Sequence, residues 1–122
     1  MASILIIEDE APIRDNLRRF LQLEGYKVFE AENGQRGLDQ IRTALPDLIV
    51  CDVMMPELDG FSLLKILRAD PRTAAVPFVF LTASAEKESL EHGRELGADE
   101  YVTKPFNLPQ LAALIRRRLG DS

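Results

Sequence analysis

Residues 48–60 read Leu-Ile-Val-Cys-Asp-Val-Met-Met-Pro-Glu-Leu-Asp-Gly. The four residues 48–51 are all apolar, the pattern of a strand covered on both faces. Asp52 follows at once, and a loop of Met54, Met55, Pro56, Glu57, Leu58, Asp59 and Gly60 leads to a helical pattern over 61–68. A fully buried strand that runs through a polar loop into a helix is the building unit of a parallel sheet with helices on both faces.

The same unit recurs to either side. Ile4-Leu5-Ile6-Ile7 is another continuous apolar run, and Pro12 stands where a helix can begin. Ile13, Leu17, Phe20 and Leu21 keep helical spacing, and Gly25 ends that helix. Residues 26–31 alternate enough for a second, more exposed strand, and Asn33 is placed as the next N-cap. Leu38, Ile41 and Leu45 form the expected stripe of helix two, which Pro46 closes. Further on, 76–81 reads as strand four and 86–96 as a helix with few large apolar residues, chiefly Leu90 and Leu96. Tyr101-Val102 is a short fifth strand, and Leu108, Leu111, Ala112, Ile115 and Leu119 mark the last helix.

Five strand–helix units with no repeat or linker predict one domain over 1–122, of α/β class. Right-handed crossovers leave few topologies, and a flavodoxin-like parallel sheet in the order 2-1-3-4-5 is expected. Composition agrees: 122 residues, 46% hydrophobic and 29% charged, suffice for a core without disulfides. With a net charge of −5 and basic residues clustered only at Arg116–Arg118, which read as a solvated helix end favourable to the helix dipole, no face neutralises several phosphates, so direct nucleic-acid binding is not expected. The single cysteine, Cys51, suits a reducing cytoplasm, and its place in a buried strand reads as packing. No apolar run is long enough to span a membrane and no signal peptide is recognisable.

In such sheets the functional site lies beyond the carboxyl ends of the strands, at the switch point between strands one and three. Strand one ends in Glu8-Asp9, strand three in Asp52, strand four in Thr82, and strand five is followed by Lys104. Carboxylates crowded together repel, and one is driven towards protonation unless a cation enters. Hard oxygen ligands of this kind favour magnesium.

Glu8-Asp9, Asp52 with the Met-Met-Pro-Glu-Leu-Asp-Gly that follows Val53, Thr82-Ala83, and Tyr101-Val102-Thr103-Lys104-Pro105-Phe106 resemble the receiver domain of two-component response regulators. The likeness covers essentially the whole chain, in order and spacing. It implies that Asp52 is a nucleophile that accepts a phosphoryl group from a sensor histidine kinase or phosphotransfer protein, forming a 4-aspartylphosphate. It also implies a magnesium ion held by Asp9, Asp52 and the backbone carbonyl of Met54, with Glu8 acting directly or through water. Lys104 and Thr82 would each bind a phosphoryl oxygen, and Thr82 and Tyr101 would move together as a switch. Lys104–Pro105 is expected to be cis.

By the same likeness, the output is a downstream protein or an output domain outside this chain, and no classical enzyme activity is expected. Assembly would be a homodimer through helix four, strand five and helix five, where Leu114 stands at the position of a charged residue in the winged-helix subfamily. Met54 and Ser84 flank the implied path of a hydrolytic water and together suggest slow self-dephosphorylation. Three other readings meet obstacles in the sequence. A dehalogenase-type phosphatase needs a carboxylate where Met54 stands. A dinucleotide site needs glycines where Glu8-Asp9-Glu10 stand. The third, a phosphorylation-independent adaptor, is the alternative function, although all five site residues are present.

Overall fold

The computed structural model describes residues 1–83 and 86–120. The elements alternate as β1 (Ser3–Ile7), α1 (Ala11–Leu23), β2 (Lys27–Ala31), α2 (Gly34–Thr43), β3 (Leu48–Cys51), α3 (Gly60–Ala69), β4 (Phe78–Thr82), α4 (Lys87–Glu95), β5 (Glu100–Thr103) and α5 (Leu108–Leu119). All neighbouring strands pair in parallel, in the order β2-β1-β3-β4-β5 that the sequence predicts.

The strand period of two assigns side chains to opposite layers. Leu48 and Val50 of β3 meet Leu17 and Leu21 of α1 and Leu111 and Ile115 of α5. Ile49 and Cys51 meet Ile41 of α2 and Leu63, Leu64 and Leu67 of α3 on the other face. Burial of each such large aliphatic side chain contributes roughly 1.5–3 kcal/mol, which is why the unbroken apolar runs become the central strands. Asn33, Asp59 and Asn107 start α2, α3 and α5 by accepting hydrogen bonds from the backbone N–H of Arg36, Ser62 and Gln110.

Several sequence expectations need correction. Leu45 does not belong to the buried stripe of α2: the helix stops at Thr43, and Leu45 is 50% exposed. Pro46 disfavours helical backbone at the residue before it, so Leu45 leaves the helical face. Strand four starts at Phe78 rather than 76, because Pro77 has no N–H to give the ladder; its carbonyl accepts from Ile49 N–H instead. The arginines of α5 are not simply a solvated helix end. Arg116 pairs with Glu24 at 3.0 Å and Arg118 with Glu100, which ties the end of α5 to α1 and β5. Helix α4 has one buried residue, Gly93, while Leu90 and the C-cap residue Leu96 are half-buried. Among the described residues no helix is long and apolar enough to cross a membrane.

Candidate functional site

Register brings the site together. Ile7 lies beside Cys51 in the β1–β3 ladder, so the residues that follow, Glu8 and Asp52, leave the sheet side by side. Asp52 N–H donates to Ile7 O at 3.0 Å and Glu8 N–H to Ala31 O at 3.1 Å, extending both strands to these carboxylates. Lys104 follows β5, and its backbone N–H donates to Thr82 O at 2.7 Å.

The carboxylate oxygens of Glu8, Asp9 and Asp52 lie within 4.8 Å of one another. Lys104 Nζ enters this cluster, 2.8 Å from Glu8 Oε1, 3.1 Å from Asp52 Oδ2 and 3.5 Å from Glu10 Oε2. Met54 N–H donates to Asp52 Oδ1 at 3.2 Å, so the Met54 peptide adjoins the Asp52 carboxylate while its side chain is exposed. Glu8 and Asp52 are buried and Asp9 is exposed, giving the cluster one open side. Thr82 is buried at the end of β4, and Tyr101 is half-buried beside the Phe80 ring. The Lys104–Pro105 peptide is cis. Ser84 lies outside the described residues. The structure thus brings together Glu8, Asp9, Asp52 and Lys104, with Met54 and Thr82 at their edge.

Electrostatics follow from that crowding. Burial pushes the Glu8 carboxyl up from 4.5 to about 7, and the Asp52 charge adds to this while the Lys104 hydrogen bond opposes it. Burial alone would lower Lys104, but its hydrogen bonds to Glu8 and Asp52 outweigh that and raise it. The Cys51 thiol, fully buried, is likewise pushed up, so Cys51 is a core residue and no thiolate. His92 is exposed, edge-on to Phe61.

A measurable consequence concerns metal-free protein. A carboxyl whose folded value exceeds its unfolded value supports folding below the unfolded value and withdraws that support as pH rises through the folded one. For Glu8 the window runs from 4.5 to about 7. Glu8→Gln should therefore be more stable than wild type at pH 8 by on the order of 2 kcal/mol, and the gain should vanish near pH 4.5. Urea denaturation in EDTA at the two pH values checks this. An equal difference at both would show that Glu8 is not strained by its surroundings.

Two features of the site are not legible in the sequence. Arg14 Nη1 donates to the Glu8 carbonyl at 2.7 Å, holding the turn after β1. Gly60, at the start of α3, lies against the Asp52 backbone: a Cβ there would sit 2.3 Å from Asp52 O. The Asp59-Gly60 pair signals a turn in the sequence, but not the close approach.

Oxygen donors from three carboxylates suit a hard divalent cation such as magnesium, and the ammonium already in place shows that the cluster requires positive charge.

Comparisons with known proteins agree with this arrangement. The family model of the response regulator receiver domain matches residues 4–116. The phosphate regulon transcriptional regulatory protein PhoB of Pseudomonas aeruginosa is 41% identical over 121 residues, covering 97% of this chain and 53% of that protein. The KDP operon transcriptional regulatory protein KdpE of Escherichia coli is 41% identical over 116 residues, covering 95% of this chain and 50% of its own length. The chain spans about half the length of these relatives. Among solved structures, the receiver domain of the Francisella response regulator 1452 superposes with a TM-score of 0.92 at 32% identity, covering 98% of each chain. The Vibrio cholerae chemotaxis protein CheY4 gives 0.90 at 32% identity, covering 96% of this chain and 98% of that one.

Proposed function

The chain belongs to the response regulator receiver domain family, and on that premise we propose that it is a phosphorylation-driven switch whose acceptor is Asp52. The observation that carries this reading is the buried Asp52 carboxylate at the end of β3, with Lys104 Nζ at 3.1 Å and Glu8 and Asp9 beside it. Phosphoryl transfer asks for positioning and for neutralisation of charge on the equatorial oxygens, and these residues can provide both.

A carboxylate oxygen of Asp52 attacks phosphorus and forms an acyl-phosphate bond. The bond from phosphorus to the phosphohistidine nitrogen of a sensor kinase or phosphotransfer protein, or to the oxygen of acetyl phosphate, breaks with its electron pair. Lys104 shifts its ammonium to a phosphoryl oxygen, and Thr82 donates its hydroxyl to another. Glu8, Asp9, Asp52 and the Met54 carbonyl would hold a magnesium ion, which when bound would supply positive charge to offset the carboxylates and the incoming anion. Thr82 and Tyr101 carry the change onward to a partner protein or an output domain. The longer relatives are transcriptional regulators by name, and an output domain of that kind is one form such an output takes. Leu114, half-buried on α5, leaves surface on the side of β5, in keeping with a homodimer through α4, β5 and α5. The lone buried cysteine is in keeping with a reducing cytoplasm.

Acetyl phosphate with magnesium should add one phosphoryl group, read by intact mass, and EDTA should prevent it. Uptake that is equal in EDTA would remove magnesium from the mechanism. No uptake under any condition, from acetyl phosphate or from a kinase, would favour the phosphorylation-independent adaptor.

A further inference from the structure

Phe80 of β4 is fully buried, with the rings of Phe61 and Phe78 edge-on at centroid distances of 5.2 Å and 4.9 Å. Two glycines close on it from different helices. A Cβ at Gly60 of α3 would lie 2.9 Å from its Cε1, and a Cβ at Gly93 of α4 would lie 3.4 Å from its Cδ2 and Cε2. Tyr101, the register partner of Phe80 on β5, packs beside it with ring centroids 5.8 Å apart. The same Cβ at Gly93 would lie 3.2 Å from Tyr101 Cδ2.

A side chain at 93 would therefore rest on Phe80 in ordinary contact and press the Tyr101 ring, which would have to give by a few tenths of an ångström. Phe80 is held between α3 and its aromatic neighbours, whereas Tyr101 is half-buried. A surface groove of about 520 Å³ lined by Tyr101, Phe106, Gln110 and Leu114 adjoins it. A close-packed interior transmits such strain, and the side of the Tyr101 ring that borders the groove has room to take it up. Gly93 is also the one buried residue of α4, so its contact bears on both the seat of that helix and the place of the Tyr101 ring.

We propose that Gly93 is a positioning residue for Tyr101: the missing side chain lets the ring rest between α4 and Phe80, and any larger residue drives it outward towards the groove. Its importance for signalling rests on the receiver reading, in which Tyr101, three residues before Lys104, belongs to the switch. The contact itself does not depend on that reading.

The chain has two tyrosines and no tryptophan, so Tyr26→Phe makes fluorescence a report on Tyr101 alone. In that background Gly93→Ala should raise acrylamide quenching of the unphosphorylated protein. Unchanged or reduced quenching overturns the proposal. Thermal denaturation adds a reading that helix propensity alone would not give. With Tyr101→Ala, Gly93→Ala should raise Tm by roughly 4 °C, because alanine favours helix over glycine; with the ring present the gain should be cancelled. Equal shifts in both backgrounds also overturn it. If Gly93→Ala alone fails to fold, Tyr101→Ala should restore folding, and a double variant that stays unfolded counts against the proposal. Wild-type protein that takes up no phosphoryl group would reject the phosphorylation-switch reading while leaving the quenching result standing.

Discussion

Asp52→Asn should fold as well as wild type and take up no phosphoryl group from acetyl phosphate, where wild type takes up one. The amide has no carboxylate oxygen to attack phosphorus, so the acyl-phosphate bond cannot form. The surroundings tolerate the change. Asparagine keeps a carbonyl oxygen for the Met54 N–H that donates to Asp52 Oδ1 at 3.2 Å, and Lys104 keeps Glu8 at 2.8 Å. Loss of one negative charge next to Glu8 also relieves part of the strain on that carboxyl. Loss of uptake with an unchanged circular dichroism spectrum and an equal or higher Tm is thus the expected pair of results. Phosphorylation of the variant at the wild-type rate would refute Asp52 as the acceptor.

Gly60→Ala should destabilise the protein by about 3 kcal/mol, a large effect for one methyl group. The added carbon would lie 2.3 Å from Asp52 O, 3.0 Å from Val53 Cα and 2.9 Å from Phe80 Cε1. Two of these are backbone atoms, and the third belongs to a ring that is fully buried. Helix α3 cannot simply back away, because Gly60 N–H donates to Val53 O at 2.8 Å. Its φ is not positive, so backbone strain does not enter and the clash is the whole cause. Because the clash falls on the acceptor's own carbonyl, phosphoryl uptake by the folded fraction should slow as well. Urea denaturation measures the stability change; a shift within about 0.5 kcal/mol of wild type would mean that α3 adapts freely.

These two expectations differ in how much of them the sequence already holds. That Glu8, Asp9, Asp52, Thr82 and Lys104 stand at or just past the ends of strands was readable because strand period and length are local properties of the chain. Once the strands are known to be parallel, all of their carboxyl ends lie on one edge, so the site follows without distances. Leu45 misled because three residues at helical spacing resemble a stripe even when Pro46 stops the turn that would bury the last of them. Arg116 and Arg118 misled because their partners, Glu24 and Glu100, lie on other elements.

By itself, then, the sequence determined the order of elements, the sheet topology and which polar residues leave the strand ends, since each depends on local periodicity and on chain connectivity. Tertiary structure alone decided that Lys104 inserts between Glu8 and Asp52, residues 96 and 52 positions away. It also decided that Gly60 and Gly93 give α3 and α4 room against the Asp52 carbonyl and the Phe80 and Tyr101 rings. Such contacts depend on how closely helices approach the sheet. That distance is set by the packing of both surfaces together, which no single stretch of chain encodes.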